Sequence, residues 1–127
     1  MVNISLGALS VAYDLDGPEN APTVMLAHCF AADRNFWRPH LTALSGFRVL
    51  RFDARGHGQT SRPDGPYTVG DMTDDVIALM NRLGIAHAHY VGVSMGGMVG
   101  QHLGIGHGDR LCSLTLLNTA PRYTRAQ

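Results

Sequence analysis

The stretch Gly92-Val93-Ser94-Met95-Gly96 places a hydroxyl between two glycines, just after an apolar run and just before a helix-like one. A serine presented this way can attack a carbonyl carbon. The turn that exposes it is so sharp that its backbone is strained, and only small residues fit two positions to either side. Gly97 and Gly100 let the following helix lie close to a sheet, and its N-terminus aims free N–H groups and a positive dipole end at the serine. An oxyanion formed there is stabilised. The plainer alternative is a glycine-rich strand-to-helix turn that cradles a phosphate or nothing at all. The strand before Ser94 and the helix after it favour the nucleophile.

Acyl transfer also needs two donors converging on one oxygen. The run "HCFAADRNFW" begins where an apolar strand ends, and His28-Cys29-Phe30 stands where a loop carrying such a donor should leave it. The backbone N–H groups of Met95 and Phe30 are the pair expected to form the hole, each worth ~3 kcal/mol in the transition state. His28 is open to two readings, a general base or a loop histidine whose ring holds the backbone. The second is preferred, because His28 follows its strand directly and lies far upstream of Ser94. Cys29 has no histidine placed to activate it, and packing explains it. A third cluster, Asp53, Arg55 and His57 in "FDARGHGQTSRP", could be a metal or acid/base site. It is read as a supporting loop in which Arg55 and Asp53 satisfy one another, Gly56 and Gly58 supply turns, and no metal is held.

The elements that must position these groups follow from apolar patterning. "TVMLAH" at 23–28, "FRVLRFD" at 47–53 and "HYVGVS" at 89–94 are too continuous for half-exposed strands and predict a parallel sheet buried on both faces. "LCSLTLLN" at 111–118 predicts one more buried strand. Residues 2–14 predict a hairpin broken at Gly7 and closed by Asp16-Gly17-Pro18. Helical periodicity runs around Phe36 to Leu44 and over Val69 to Leu83, where Met72, Val76, Leu79, Met80 and Leu83 share a face and Gly84 follows as a stop. Residues 95–105 predict a helix despite four glycines. The whole, 1–127, reads as one α/β domain.

Composition narrows the partners. With 45% hydrophobic residues the chain has material for a core, and its ten basic and ten acidic residues cancel without clustering, so no nucleic-acid or anionic-membrane footprint is present. Small molecules are the expected ligands. Asp14 and Asp16 fall where a signal peptide would be apolar, and no run approaches a membrane span, which makes the cytoplasm the expected compartment. Cys29 and Cys112 lie in or beside apolar runs and are expected to be buried, reduced thiols.

In their order and spacing, "HCFAADRNFW", "FDARGHGQTSRPDGPYT", "VGVSMGGMVGQ" and "LTLLNTAPR" resemble the α/β-hydrolase superfamily, and within it look most like the 3-oxoadipate enol-lactonases and related carboxylesterases. The resemblance implies the N-terminal part of that fold: a mostly parallel sheet of about six strands with an antiparallel hairpin, helices on both faces, and neither the lid nor the last two strands. It implies a serine hydrolase of esters or lactones that needs no cofactor, with Ser94 forming an acyl-enzyme. His-Cys-Phe here replaces the His-Gly-X common in that loop, so Cys29 narrows its conformational choice. The superfamily orders its triad serine, acid, histidine, whereas His102 and His107 here precede Asp109. With a rise of ~1.5 Å per residue those histidines would lie ~12 and ~20 Å down the helix axis, beyond a base's reach. The acid and histidine are thus expected from outside this chain. The final strand is expected to show an open apolar edge that takes a complementary C-terminal half or a second copy. Two other readings stay open: a non-catalytic assembly module on the same scaffold, and a cofactor-free haloperoxidase or peracid-forming esterase.

Overall fold

The computed structural model describes residues 2–121 of the chain. It opens with an antiparallel hairpin of β1 (Val2–Leu6) and β2 (Leu9–Asp16), turned at Gly7 with φ +67°, a conformation glycine takes without strain. Then follow β3 (Thr23–Ala27), a 3-10 segment (Arg34–Leu44), β4 (Arg48–Phe52), α1 (Val69–Arg82), β5 (Ala88–Val93), α2 (Met95–Gly106) and β6 (Leu111–Leu117). The six strands form one sheet in the order β1-β2-β4-β3-β5-β6. β2 runs antiparallel to β1 and β4, and all pairings from β4 to β6 are parallel.

Successive side chains on a strand point to opposite faces, and here both faces are covered. Met25, Ala27, Leu50, Phe52, Ala88 and Tyr90 meet Val76, Leu79, Met80, Val99 and Leu103 of α1 and α2. Val24, Leu26 and Val49 meet Trp37 of the 3-10 segment on the other side. This double burial is why β3 and β4 read as continuous apolar runs. Helix α1 starts with a reciprocal cap in which Thr68 Oγ1 accepts from Asp71 N–H and Asp71 Oδ2 accepts from Thr68 N–H, both at 3.0 Å. It stops before Gly84, at φ +69°.

Three expectations need correction. The helical period around Phe36 to Leu44 is realised as a 3-10 segment rather than an α-helix. Pro39 lies inside it, and in an α-helix its ring would clash with the carbonyl four residues back while its missing N–H would break a bond. The run at 111–118 forms β6 at the sheet edge, with the open side expected of the final strand and ladder pairing to β5 alone among the described strands, but it is not buried as its apolar run suggested: Leu114, Leu116 and Leu117 are 36, 39 and 42% exposed. For the same reason Cys112 is exposed rather than buried. Cys29 is half-buried, and both thiols are free. Arg122, the last residue of "LTLLNTAPR", lies outside the described residues. No described helix is long and apolar enough to cross a membrane.

Candidate active site

Ser94 occupies the turn between β5 and α2 with φ +54° and ψ −110°. Such backbone costs a non-glycine residue ~1–3 kcal/mol and persists only where its surroundings enforce it. They do so from three sides. Ser94 N–H donates to Leu117 O at 2.9 Å, while Ser94 O accepts from Thr119 Oγ1 at 2.7 Å and from Met98 N–H at 3.0 Å. The end of β6, the residues just after it and the first turn of α2 thus hold the peptide groups on both sides of Ser94.

The flanking glycines are steric requirements. A Cβ on Gly92 would lie 2.3 Å from Gly96 O, and one on Gly96 would lie 2.3 Å from Ala27 O. Gly100 lets α2 reach the sheet, since its Cβ would meet the Tyr90 ring at 2.8 Å. Tyr90 is fully buried, its hydroxyl donates to Gly96 O at 2.8 Å, and burial pushes its phenol far above the ordinary range. Helix α2 therefore begins hard against the C-terminal end of β3 and β5, without a side-chain cap on its first turn.

Ala27 pairs with Gly92, so the loop that leaves β3 runs beside the Ser94 turn. It contains a second strained residue, Ala31 at φ +60°. Phe30 is 74% exposed, with its ring edge-on to His57 at 5.7 Å, and His57 in turn lies 5.2 Å from His28. His28 is buried and uses both ring nitrogens: Nε2 accepts from Ala54 N–H at 3.0 Å, which leaves Nδ1 to donate to Cys29 O at 2.7 Å. Burial holds its pKa below the usual histidine value, against the opposing pull of the Cys29 carbonyl. The ring is a bridge between two loops, not a base with a lone pair to offer.

The charged groups pair differently from the expectation that Arg55 and Asp53 satisfy one another. Arg55 forms a two-point pair with Asp75 of α1, Nε to Oδ2 at 2.7 Å and Nη2 to Oδ1 at 2.8 Å, and lies 5.6 Å from the Tyr67 ring centre. That pairing with Asp75 holds the guanidinium above its ordinary pKa. Asp53 is wholly buried and accepts from Arg34 N–H at 2.7 Å, Arg34 Nη1 at 2.6 Å and Gln59 N–H at 2.9 Å. Asp53 leaves β4 at the bottom of its loop, whereas Arg55 lies over α1, so topology separates two residues that sequence puts side by side. Arg34 and Asp75 carried no motif of their own; their signal is a charged residue opposite a buried one, visible only once the strands are ordered. His57 Nδ1 sits 3.0 Å from Arg55 O.

Other histidines stand elsewhere. His102 and His107 line a groove with Gly70 and Asp74 between α1 and the far end of α2. Asp109 follows α2 in a short 3-10 turn. Among the described residues no three His, Cys, Asp or Glu side chains gather as a metal site. A mostly apolar cavity of about 20 Å³ lies beneath the Ser94 turn between Phe52, Val76, Leu79 and Tyr90. It has room for about one water, too little for an organic substrate.

Residues 22–126 match the family model described as the alpha/beta hydrolase fold. Among curated relatives, 3-oxoadipate enol-lactonase 1 of Acinetobacter baylyi is 35% identical over 114 residues, 89% of this chain and 42% of that protein. A RutD protein of Caulobacter sp. is 42% identical over 98 residues, 76% of this chain and 37% of its own length. Among solved structures, the enol-lactonase of Burkholderia xenovorans LB400 superposes with a TM-score of 0.93 at 42% identity, covering 95% of this chain and 48% of that one. The chain spans less than half the length of the relatives it matches. With the sheet order, the Ser94 turn and the match over 22–126 in agreement, the chain belongs to the α/β hydrolase fold family.

Proposed function

We propose that Ser94 is the nucleophile of a serine hydrolase acting on a carboxylic ester or lactone, the bond named in the enol-lactonase relatives. The observation that carries this reading is the strained backbone of Ser94 at the N-terminus of α2, with Ala27 and the Phe30 loop packed alongside. In this reading Ser94 Oγ adds to the carbonyl carbon and gives its proton to a base. The N–H groups of Met95 and Phe30 hold the oxygen that becomes negative. The C–O bond then breaks, the alcohol departs with a proton, and water releases the acid from the acyl-enzyme. His28, Arg55 and His57 keep the two flanking loops in place. In this reading the general base and its acid partner are supplied from outside residues 1–127, in keeping with His28 having both ring nitrogens engaged and His102 and His107 lying toward the far end of α2.

We propose further that β6 receives another strand along its open side, from a complementary C-terminal half or a second copy, since its exposed residues carry no charge. The test of the nucleophile is labelling by an alkyl fluorophosphonate, run on the chain alone and on the chain paired with the C-terminal half of an enol-lactonase relative. A stable adduct on the peptide containing Ser94, lost in Ser94→Ala, is expected in the paired sample. Labelling that survives Ser94→Ala overturns the reading.

A further inference from the structure

The loop from His28 to Asp33 is fastened at both ends to one segment of the chain, residues 53–59. At its start His28 Nε2 holds Ala54 N–H. At its far end Arg34 holds Asp53 twice, through its backbone N–H to Oδ1 and its Nη1 to Oδ2, so one residue engages both carboxylate oxygens. Arg34 Nε also reaches Asp14 Oδ2 at 2.7 Å on β2. Arg34 is buried, as is Asp53, and Asp14 is mostly covered. Hydrogen bonds between charged groups in such surroundings are short and directional, and an Arg fork fixes geometry where a Lys point charge does not. Between the two fastenings lies Phe30, followed by the strained Ala31. A strained residue relaxes unless the chain on both sides is held.

We infer that Arg34 is a positioning residue for the oxyanion donor at Phe30: its grip on Asp53 and Asp14 keeps the 28–33 loop in the conformation that aims the Phe30 N–H at the Ser94 site. This rests on the nucleophile proposed above. The second donor, Met95 N–H, belongs to α2 and does not depend on Arg34, which makes the two separable by experiment.

The probe is phenylboronic acid, which adds to a serine hydroxyl as a tetrahedral anion, followed by backbone amide spectra of the ¹⁵N-labelled chain paired with the unlabelled C-terminal half of an enol-lactonase relative, which supplies the base. In the unaltered protein the Phe30 and Met95 amide protons are both expected to move downfield. In Arg34→Lys, which keeps the charge and loses the fork, the Met95 shift should persist, the Phe30 shift should vanish, and affinity should fall by about tenfold or more. Asp14→Asn, which leaves the Arg34 to Asp53 pair intact, should give an intermediate loss and serves if Arg34→Lys does not fold. Wild-type shifts and affinity in either folded variant overturn the inference while leaving the nucleophile standing. If binding is unchanged in Ser94→Ala, or neither amide moves in the unaltered protein, the nucleophile reading falls and this inference with it.

Discussion

The hydroxyl of Tyr90 in β5 donates to the carbonyl of Gly96 in α2 at 2.8 Å, tying the strand before Ser94 to the helix after it. Since the ring is fully buried, the bond operates where an unpaired polar group is costly. Tyr90→Phe should destabilise the fold by about 1–3 kcal/mol, read as a lower denaturation midpoint in urea with an unchanged slope. An unchanged midpoint would remove the bond from the account of the turn.

Close approach at the turn gives a sharper contrast among glycines. Gly96→Ala drives a methyl into the Ala27 carbonyl, and Gly92→Ala drives one into Gly96 O. Each should cost several kcal/mol or abolish folding, because backbone rather than a flexible side chain must move. Gly106→Ala, at the end of the same helix with nothing within 4 Å, should be neutral or stabilise by up to about 1 kcal/mol. Thermal melts of the three variants check the order.

Acid should loosen the loops before it attacks the carboxylates. His28 must stay neutral to accept from Ala54 N–H, and its burial holds the folded pKa below the ordinary 6.5. The unfolded chain therefore takes the proton first. The stabilisation is present above about 6.5 and is lost as the pH falls through the lower folded value. Asp14 acts in a more acidic window: burial alone would raise its carboxyl, but the hydrogen bond and charge of Arg34 and the charge of Arg51 outweigh it and lower it below the ordinary 3.8. Its contribution is present above that value and fades below it. His28→Gln, which keeps an acceptor for Ala54, should flatten the pH dependence of stability within the His28 window, below about 6.5, and leave the Asp14 window unchanged in urea melts at stepped pH. An acid slope identical to the parent's would show that His28 is not its source.

What the sequence could convey divides by the range of the cause. The Ser94 turn was legible because its reasons are local: small residues at 92 and 96 and an apolar strand before them. Strands β3 and β4 were legible because burial on both faces writes itself as an unbroken apolar run. Ion-pair choice was not. Arg55 has Asp53 two residues away and Asp75 twenty away, and only the position of α1 over the loop decides for Asp75. Nor was the exposure of Cys112: the open side of the final strand was expected, but its unbroken apolar run reads as burial of both faces, and the faces of β6 are in fact exposed.

The Arg55 to Asp75 pair is testable by a double-mutant cycle. Both side chains are less than one-fifth exposed, so removing one leaves a partly buried charge without its partner. Arg55→Met and Asp75→Asn singly should each cost about 1–3 kcal/mol, and together less than their sum. Additive losses would mean that the two charges stand side by side without coupling.

The edge at β6 makes a prediction about association. Leu111–Leu117 pairs with β5 on one side, contains no Lys, Arg, Asp, Glu or Pro, and presents half-exposed Leu114 and Leu116 toward α2. Natural sheets protect such edges with charge, proline or a covering element, and none of these interrupts this strand. Free of other partners, the chain should therefore sediment as species larger than one copy, increasingly so with concentration. Thr115 is exposed and pairs with Val91 on the face away from α2, so Thr115→Lys adds a charge to the edge without disturbing the core. That variant should sediment as a single copy with stability within about 0.5 kcal/mol of the parent. If the parent already runs as one copy at every concentration, the open edge does not pair with a second copy in solution and that half of the proposal fails.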